Sequence, residues 1–427
     1  MSAPAGTTVG VPVAVYPAIE PRLLRLDGAE DVNAYLDGGG YAPLLDPDAL
    51  LDQVTAAGLR GRGGAAFPLA RKITTVRGGS VAPVVIANGE EGEPSSVKDK
   101  WLLRNRPHLV LDGLRLAAVM AGAERAYVYL SDPLAADSIE RALLEYPGRA
   151  RNGPDITVHR VSPAYVAGEE TAAVRSLNGG PALPSDKPPR PFERGVDDRP
   201  TQVSNVETLS NLPLIHARGS AWYRSVGTDD STGTYLMTLS TSGGTVLAEV
   251  PFGVTLREVL TWRGHDAPVT GALMGGYFAG LLSSRVLDLP LEYVAVAAAG
   301  SGLGCGAVGV LDEHTCPVTV AGGVLQYFAA NNAGQCGSCF NGTAAMAAVV
   351  TGLRLGRARE PDIDRLRQWA AGLRGRGACG TLDGATNAAA TLLREFPDAV
   401  QSHLIDECSS CITKGEHLPA PFAVHGY

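Results

Sequence analysis

Hydrophobic and polar positions follow two different periods along the first half of this chain. "PVVIAN" (83–88) and "AYVYL" (126–130) are short apolar runs, the first ending in a glycine-rich turn, and such runs predict buried strands. "DGLRLAAVMAGA" and "SDPLAADSIERALLEY" instead space their apolar residues for a helix, the second with Ser131 as its expected N-cap. Strands separated by helices predict an α/β fold built on a parallel sheet, whose ligands bind at the carboxyl ends of the strands. Near residue 230 the pattern changes. "GTYLMTLST" and "GTVLAEVPF" flank Gly243-Gly244 as a β-hairpin, and Thr255 with Glu258 forms a capping box ahead of "LREVLTW". From about residue 320 the period is helical: "VLQYFAANN", "AAMAAVVTGLRL", "IDRLRQWAAGLR" and "ATNAAATLLREF". Ile363, Leu366, Trp369, Ala370 and Leu373 share one helical face. The expected division is therefore an N-terminal extension (1–44), an α/β domain (45–228), a small α+β module (229–318), a helical domain (319–400) and a tail (401–427).

Composition narrows the class. The chain has 427 residues, enough for two or three domains, and its 45% hydrophobic and 19% charged residues describe a globular protein without long disorder. A net charge of -8 excludes a polyanion as the main partner. "MSAPAGTTVGVPVAVYPAIEP" lacks a basic stretch followed by an apolar run, so no secretory signal and a cytoplasmic location are expected. Tyr293 to Leu311 is uncharged and approaches membrane-spanning length, but its five glycines read as buried strand and turn.

All seven cysteines lie between Cys305 and Cys411, which points to metal or redox chemistry rather than a disulfide framework. Cys305 and Cys316, in apolar strand-like surroundings, read as buried thiols. "AGQCGSCFNGT" (333–343) places Cys336 and Cys339 in a glycine-rich turn. The pair suits a metal site or a redox dithiol, although a thioredoxin-type dithiol follows a strand and the preceding segment here is helical.

Two further motifs carry chemistry. "GLRGRGGAAFPLARK" (58–72) combines glycines, which let backbone N–H groups approach a phosphate or flat ring, with cations that neutralise it. It matches neither a Walker loop nor a G-x-G-x-x-G fingerprint. "ANGEEGEPSSVKD" follows the first predicted strand with Asn88, Glu90, Glu91 and Glu93, and "AYVAGEETAAVRSLNGG" repeats tyrosine, glycine and paired acids at Tyr165, Gly168, Glu169 and Glu170. Carboxylates there suit ribose hydroxyls or a cationic nicotinamide ring.

From about residue 45 to 400 the ordered landmarks "GRGGAAFP", "ANGEEGEP", "AGEETA", "KPPRPF" and "PTQVSNVETL" resemble the NADH-binding flavoprotein subunit of respiratory complex I and its relatives in NAD-reducing hydrogenases and formate dehydrogenases. The resemblance implies a Rossmann-like FMN-binding domain, a ubiquitin-like β-grasp module and a helical bundle holding a [4Fe-4S] cluster. It assigns Arg62, Gly63, Gly64, Lys72, Asn88, Glu90, Glu91, Gly168, Glu169 and Asn205 to the flavin. It assigns Phe67, Glu93, Tyr165, Glu170 and Lys187 to NADH, with Glu93, Tyr165 and Glu170 nearest the chemistry. Cys336, Cys339 and Cys379 are the implied cluster ligands. The implied activity is hydride transfer from NADH or NADPH to FMN, followed by single-electron transfer to an iron-sulfur protein partner such as a ferredoxin or thioredoxin-like [2Fe-2S] subunit within a larger redox complex.

The chain departs from the family in two places. Ala333 stands where the family's first cluster cysteine is expected, and the tail "DECSSCITKGEH", with Cys408, Cys411 and His417 after the last predicted helix, offers Cys408 or Cys411 as a substitute ligand, a separate metal or dithiol site such as a four-cysteine zinc site shared with Cys336 and Cys339, or thiols without a metal role. Thr75 and Arg190 stand where further aromatic rings hold adenine, which leaves nucleotide identity open. The alternative is an electron-transfer or assembly subunit that has lost NADH oxidation.

Overall fold

A computed structural model describes residues 10–25, 28–79, 81–145, 153–406, 408–412 and 414–427. The start of the N-terminal segment read for a signal lies outside the described residues. The first strand, β1 (Val13–Val15), pairs far downstream and returns below. Strands β2 (Val84–Asn88), β3 (Arg125–Leu130), β4 (Asp155–Arg160) and β5 (Thr201–Asn205) form an all-parallel sheet in the order β4-β3-β2-β5. Val84, Val85, Ile86 and Ala87 are wholly buried, as a parallel strand covered on both faces requires. The helix Pro107–Ala121 is buried nearly all round and packs against both this sheet and the helix Val206–Tyr223. The helix after β3 begins at Pro133, and Asp132 rather than Ser131 caps it: its carboxylate accepts from the Ala135 N–H at 2.7 Å. A carboxylate is the stronger acceptor for an orphan helical amide.

The chain runs from β2 outward to β4 and then returns to place β5 on the other side of β2, so the strand order reverses between β2 and β5. Asn88 and Asn205 lie in register at the carboxyl ends of these two strands. A crevice at such a reversal is where open α/β sheets bind ligands.

The second sheet has the order β1-β7-β6-β10-β8-β9. The predicted hairpin forms between β6 (Thr234–Thr241) and β7 (Gly244–Pro251), with Thr241 opposite Gly244 and Gly244 at φ 122°. Thr255 and Glu258 make the expected capping box on the helix Leu256–Trp262. β8 (Val269–Met274) and β9 (Leu281–Ser283) follow, and β10 (Ala307–Asp312) runs parallel to β6 and antiparallel to β8. The uncharged stretch from Tyr293 thus ends in buried strand, but Tyr293–Ala298 is a short helix. None of the described helices is long and apolar enough to cross a membrane.

β1 joins the edge of this sheet beside β7, and the next turn is fastened by Glu249: one of its oxygens accepts from the amides of Arg22, Leu23 and Leu24 at 3.1, 2.9 and 3.0 Å. The N-terminal extension is therefore part of the second sheet's architecture.

Five helices then pack around Val324, Phe328, Met346, Leu366 and Leu392: Pro317–Ala330, Gly337–Arg354, Glu360–Gly372, Thr381–Glu395 and Pro397–Ile405. Helical structure runs past the expected boundary at residue 400, to Ile405 in the helix that Pro397 starts, where its missing N–H costs nothing, and again over the short helix Ser409–Ile412. The tail returns across the molecule: the Val424 N–H donates to the Pro94 carbonyl at 2.9 Å, and the Tyr277 hydroxyl donates to the Pro421 carbonyl at 2.6 Å.

Candidate functional site

The acidic turn leaves the carboxyl end of β2 and packs against the second acidic motif with no space for side chains at two glycines. A Cβ on Gly168 would lie 2.8 Å from the Glu90 carbonyl oxygen, and one on Gly92 would lie 2.8 Å from the Ala164 carbonyl oxygen. The Asn88 side-chain amide donates to the Gly168 carbonyl at 2.8 Å and locks the two turns together. The glycine loop closes from the other side, where a Cβ on Gly63 would sit 3.2 Å from Asn205 Cβ and Gly64 has φ 116°. Phe67, from the same loop, is 45% exposed, so its ring is open to a partner. Lys72 donates to the Val203 carbonyl in the middle of β5 at 2.8 Å, and burial lowers its pKa.

The carboxylates divide into two groups. Glu91 is occupied at the start of the helix Lys98–Asn105, accepting from the Ser96 hydroxyl at 2.5 Å and the Lys100 N–H at 3.0 Å. Glu169 caps the helix Glu170–Leu177 through the Thr171 and Ala172 amides, and its second oxygen accepts from Lys187 at 2.7 Å. Lys187 also meets Glu170 at 3.1 Å; burial opposes its charge, but the two carboxylates outweigh that and raise its pKa.

Glu90 is different. It is buried, the Ser131 hydroxyl and Ala164 amide lie nearby, and yet neither carboxylate oxygen closes a hydrogen bond of good geometry. Burial pushes its pKa up to about 7. A carboxylate in that state calls for outside O–H or N–H donors. Glu93 is also pushed up to about 7 by burial, but it is bonded: Ser95 donates its hydroxyl at 2.7 Å and Tyr277 its amide at 3.0 Å. Beside it, Tyr165 packs edge-on to Tyr327 and Phe328, with ring centroids 5.7 and 5.2 Å away, and burial followed by the Glu93 charge raises its pKa well above the usual value. The first sheet, the second sheet and the helical region thus converge on Glu93 and Tyr165.

Arg62 and Asn205 are placed differently from their assignment to the flavin. The Arg62 guanidinium is buried away from the crevice, donating to the hydroxyls of Tyr223 and Tyr293 at 2.9 and 3.1 Å and to the Thr234 carbonyl at 3.2 Å, and lying 4.5 Å from the Phe252 ring centroid. It ties the glycine loop to the second sheet. The Asn205 amide donates to Asp99 at 2.6 Å, and its oxygen accepts from Lys98 at 3.2 Å and from the Glu207 N–H at 3.0 Å. Sequence reasoning missed this buried network, in which Lys98 bridges Asp99 at 2.7 Å and Glu207 at 3.0 Å. The only sequence signal was a Lys-Asp pair directly after the acidic turn, which reads as a solvated surface. Thr75 returns its hydroxyl to the Arg71 carbonyl, and Arg190 lies in an exposed turn whose amide donates to Glu193.

Cys336, Cys339 and Cys379 line one small cavity together with Ala333, Pro184 and Gln335. Cys336 caps the helix Gly337–Arg354, Cys339 lies in its first turn and Cys379 precedes the helix Thr381–Glu395. Cys339 is pushed up to about 11, first by burial and then by the neighbouring Cys379 and Cys336. The tail thiols are not at this cavity: Cys408 and Cys411 group with Cys316 and His403, all four ligand atoms lying within 4.8 Å of one another. Of the roles open to the tail thiols, this placement supports a separate group over a ligand at the three-cysteine cavity, and Cys316, read as a buried thiol, is buried within that group. His417 is absent from that group.

The residues present fit both expected groups. Glu90 is a buried carboxylate without bonded donors just after the carboxyl end of β2, as the edge of a flavin or its hydroxyls would require. Three cysteines around one cavity suit an iron-sulfur cluster with one corner not served by cysteine.

Comparisons with known proteins agree with this geometry. Residues 54–214 match the family model of the Nuo51 FMN-binding domain, and residues 319–403 match that of the NADH-ubiquinone oxidoreductase-F iron-sulfur binding region. An F subunit of NADH-quinone oxidoreductase from Rhizobium meliloti (strain 1021) is 34% identical over 90% of this chain and 98% of its own length. The HndC subunit of the NADP-reducing hydrogenase of Solidesulfovibrio fructosivorans is 31% identical over 88% of this chain and 81% of its own. The crystal structure of an NAD+-reducing [NiFe]-hydrogenase in the H2-reduced state superposes with a TM-score of 0.79 at 31% identity, covering 88% of this chain and 67% of that one. With a parallel-sheet α/β fold, an FMN-binding region and an iron-sulfur region in the same order, the chain belongs to the family of NADH-quinone oxidoreductase F subunits, flavin- and iron-sulfur-dependent oxidoreductases.

Proposed function

We propose that residues 45–228 form a Rossmann-like domain that holds FMN at the β2–β5 reversal, residues 229–318 a β-grasp module and residues 319–400 a helical domain that holds the cluster. The observation that carries the flavin assignment is Glu90, a buried carboxylate with neither oxygen bonded, at the carboxyl end of the sheet. Bound there, FMN would supply hydride acceptance and the conversion of an electron pair to single electrons, which an iron-sulfur cluster carries one at a time.

The chain's own residues bind and orient. Asn88 and Gly168 hold the two acidic turns at a fixed separation, and Gly63 and Gly64 keep the opposite wall backbone-thin. Phe67 offers a ring face to the nucleotide, Lys187 with Glu170 offers a paired charge at the rim, and Glu93 with Tyr165 closes the inner end against water. Cys336, Cys339 and Cys379 provide three thiolates for the cluster, and an iron-sulfur protein partner in a multi-subunit complex takes the electrons. Anaerobic titration of the flavin-loaded protein with NADH and separately NADPH tests this, since bleaching at near-stoichiometric nucleotide is expected. A second reading rests on Thr75 and Arg190: Arg190 is exposed and its planar cation suits a 2'-phosphate, which favours NADPH. Flavin that neither nucleotide bleaches would leave a subunit fed by a protein partner.

A further inference from the structure

Four ligand-bearing side chains outside the flavin and cluster sites converge on one point. Cys316 ends the connection from β10 and caps the helix Pro317–Ala330, His403 lies on the helix Pro397–Ile405, and Cys408 and Cys411 form the C-x-x-C of the tail. Cys316 Sγ is 3.6 Å from Cys411 Sγ and 3.4 Å from His403 Nε2, and His403 Nε2 is 3.3 Å from Cys411 Sγ. All four ligand atoms lie within 4.8 Å of one another, and Cys316, His403 and Cys411 are buried. With Zn–S near 2.3 Å and Zn–N near 2.0–2.1 Å, tetrahedral coordination requires about 3.7 Å between sulfurs and about 3.5 Å between sulfur and nitrogen. The three spacings among Cys316, His403 and Cys411 match that polyhedron, and Cys408 lies within 4.8 Å of each of them.

The surrounding groups prepare the ligands for a cation. His403 Nδ1 lies 2.6 Å from the Ala399 carbonyl, so Nδ1 carries the proton and Nε2 presents its lone pair to the cysteines. Thr319 places its hydroxyl 3.1 Å from Cys411 Sγ, where it can donate to a thiolate. The Cys411 N–H donates to the Cys408 carbonyl at 2.9 Å, the tight turn that brings two thiolates to one side. A redox dithiol needs only two sulfurs. It would leave a third cysteine and an oriented imidazole aimed at the same point without a role.

We propose that Cys316, His403, Cys408 and Cys411 form a closed structural zinc site, separate from the iron-sulfur cysteines, that fastens the C-terminal tail to the junction between the second sheet and the helical region. The site secures a segment that Arg354 also holds through the Cys411 and Glu416 carbonyls, and that continues to Pro421 and Val424 beside the acidic turn. No electron transfer is assigned to it, because zinc has no redox chemistry and a closed four-ligand site has no open position.

The test is elemental analysis and zinc K-edge absorption on the full chain purified with its flavin and cluster. One zinc per chain is expected, with three sulfur neighbours at about 2.3 Å and one nitrogen at about 2.0–2.1 Å. In Cys411→Ser zinc should fall by at least tenfold while iron per chain stays unchanged, and in Cys336→Ser iron should fall while zinc stays. Zinc below about one tenth per chain in the unmodified protein, or zinc seen only by oxygen and nitrogen neighbours, would overturn the proposal without any variant. Loss of iron with zinc retained in Cys411→Ser would return the tail to the cluster and overturn it equally.

Discussion

Removing the Lys98 charge should destabilise the protein by an amount that depends on pH. Its ammonium is 1% exposed and sits 2.7 Å from Asp99, 3.0 Å from Glu207 and 3.2 Å from Asn205. Lys98→Met keeps the volume and leaves two buried carboxylates without their cation, a class of change that costs about 3–5 kcal/mol. The cost has a ceiling near neutrality, because burial already pushes Asp99 up to about 7 even with Lys98 pulling the other way. Without Lys98 the Asp99 carboxyl takes up a proton, and a neutral acid needs no counter-charge. The loss should therefore be about 3 kcal/mol at pH 8 and clearly smaller at pH 6. At about 2–4 °C per kcal/mol for a large domain, the pH 8 loss lowers Tm by about 6–12 °C. Near-UV circular dichroism of the flavin-loaded protein, heated at one fixed rate at both pH values, measures it. Adding Glu207→Gln and Asp99→Asn to the variant should recover part of the loss. A drop under 2 °C, or equal drops at pH 6 and pH 8, would refute the account of a charge held by buried carboxylates.

Four further outcomes follow from the site. Glu90 in the flavin-free protein has its carboxyl raised by burial from 4.5 to about 7, so the folded state binds its proton more tightly and stability falls as pH rises through that window. Glu90→Gln should flatten this decline and gain about 2–3 kcal/mol above pH 7; parallel pH profiles in denaturant melts would sink the idea. Phe67→Ala removes an exposed ring and should raise KM for the nucleotide several-fold with Tm unchanged, whereas an unaltered KM argues against stacking there. Gly168→Ala drives a methyl against the Glu90 carbonyl oxygen and should cost about 1–3 kcal/mol while releasing flavin on gel filtration. Ala333→Cys adds a thiol at the cavity of Cys336, Cys339 and Cys379 and should slow iron loss to a chelator; unchanged release kinetics would mean that the fourth corner is already served.

Much of the architecture was legible in the chain because it rests on local pattern. The β2 strand, the hairpin at Gly243-Gly244, the Thr255–Glu258 box and the C-terminal helices all depend on residues within a few positions of one another. The motifs also identified the turns that meet at the β2–β5 reversal. What they could not reveal is which way each side chain points once distant segments meet. Arg62 reads as a cation for a phosphate, but its partners Tyr223 and Tyr293 come from elements far along the chain. Glu91 and Asn205 read as free ligands until the helices they cap are placed against the sheet. Cys316 and His403 carry no local signature, and their convergence with the tail appears only when the helices Pro317–Ala330 and Pro397–Ile405 pack together.

The pairing of β1 bears on how this protein is made. Val13 pairs with Leu247, 234 positions later (247 − 13), and the amides of Arg22, Leu23 and Leu24 find their acceptor only in Glu249. At roughly 5–20 residues per second of synthesis, the partner strand leaves the ribosome on the order of 10–50 s after the first. Throughout that interval β1 has no strand to join and these amides no acceptor, while the Leu23 and Leu24 side chains already have the core of the earlier-made α/β domain to enter, so burial of the apolar side chains can precede the pairing of the strand.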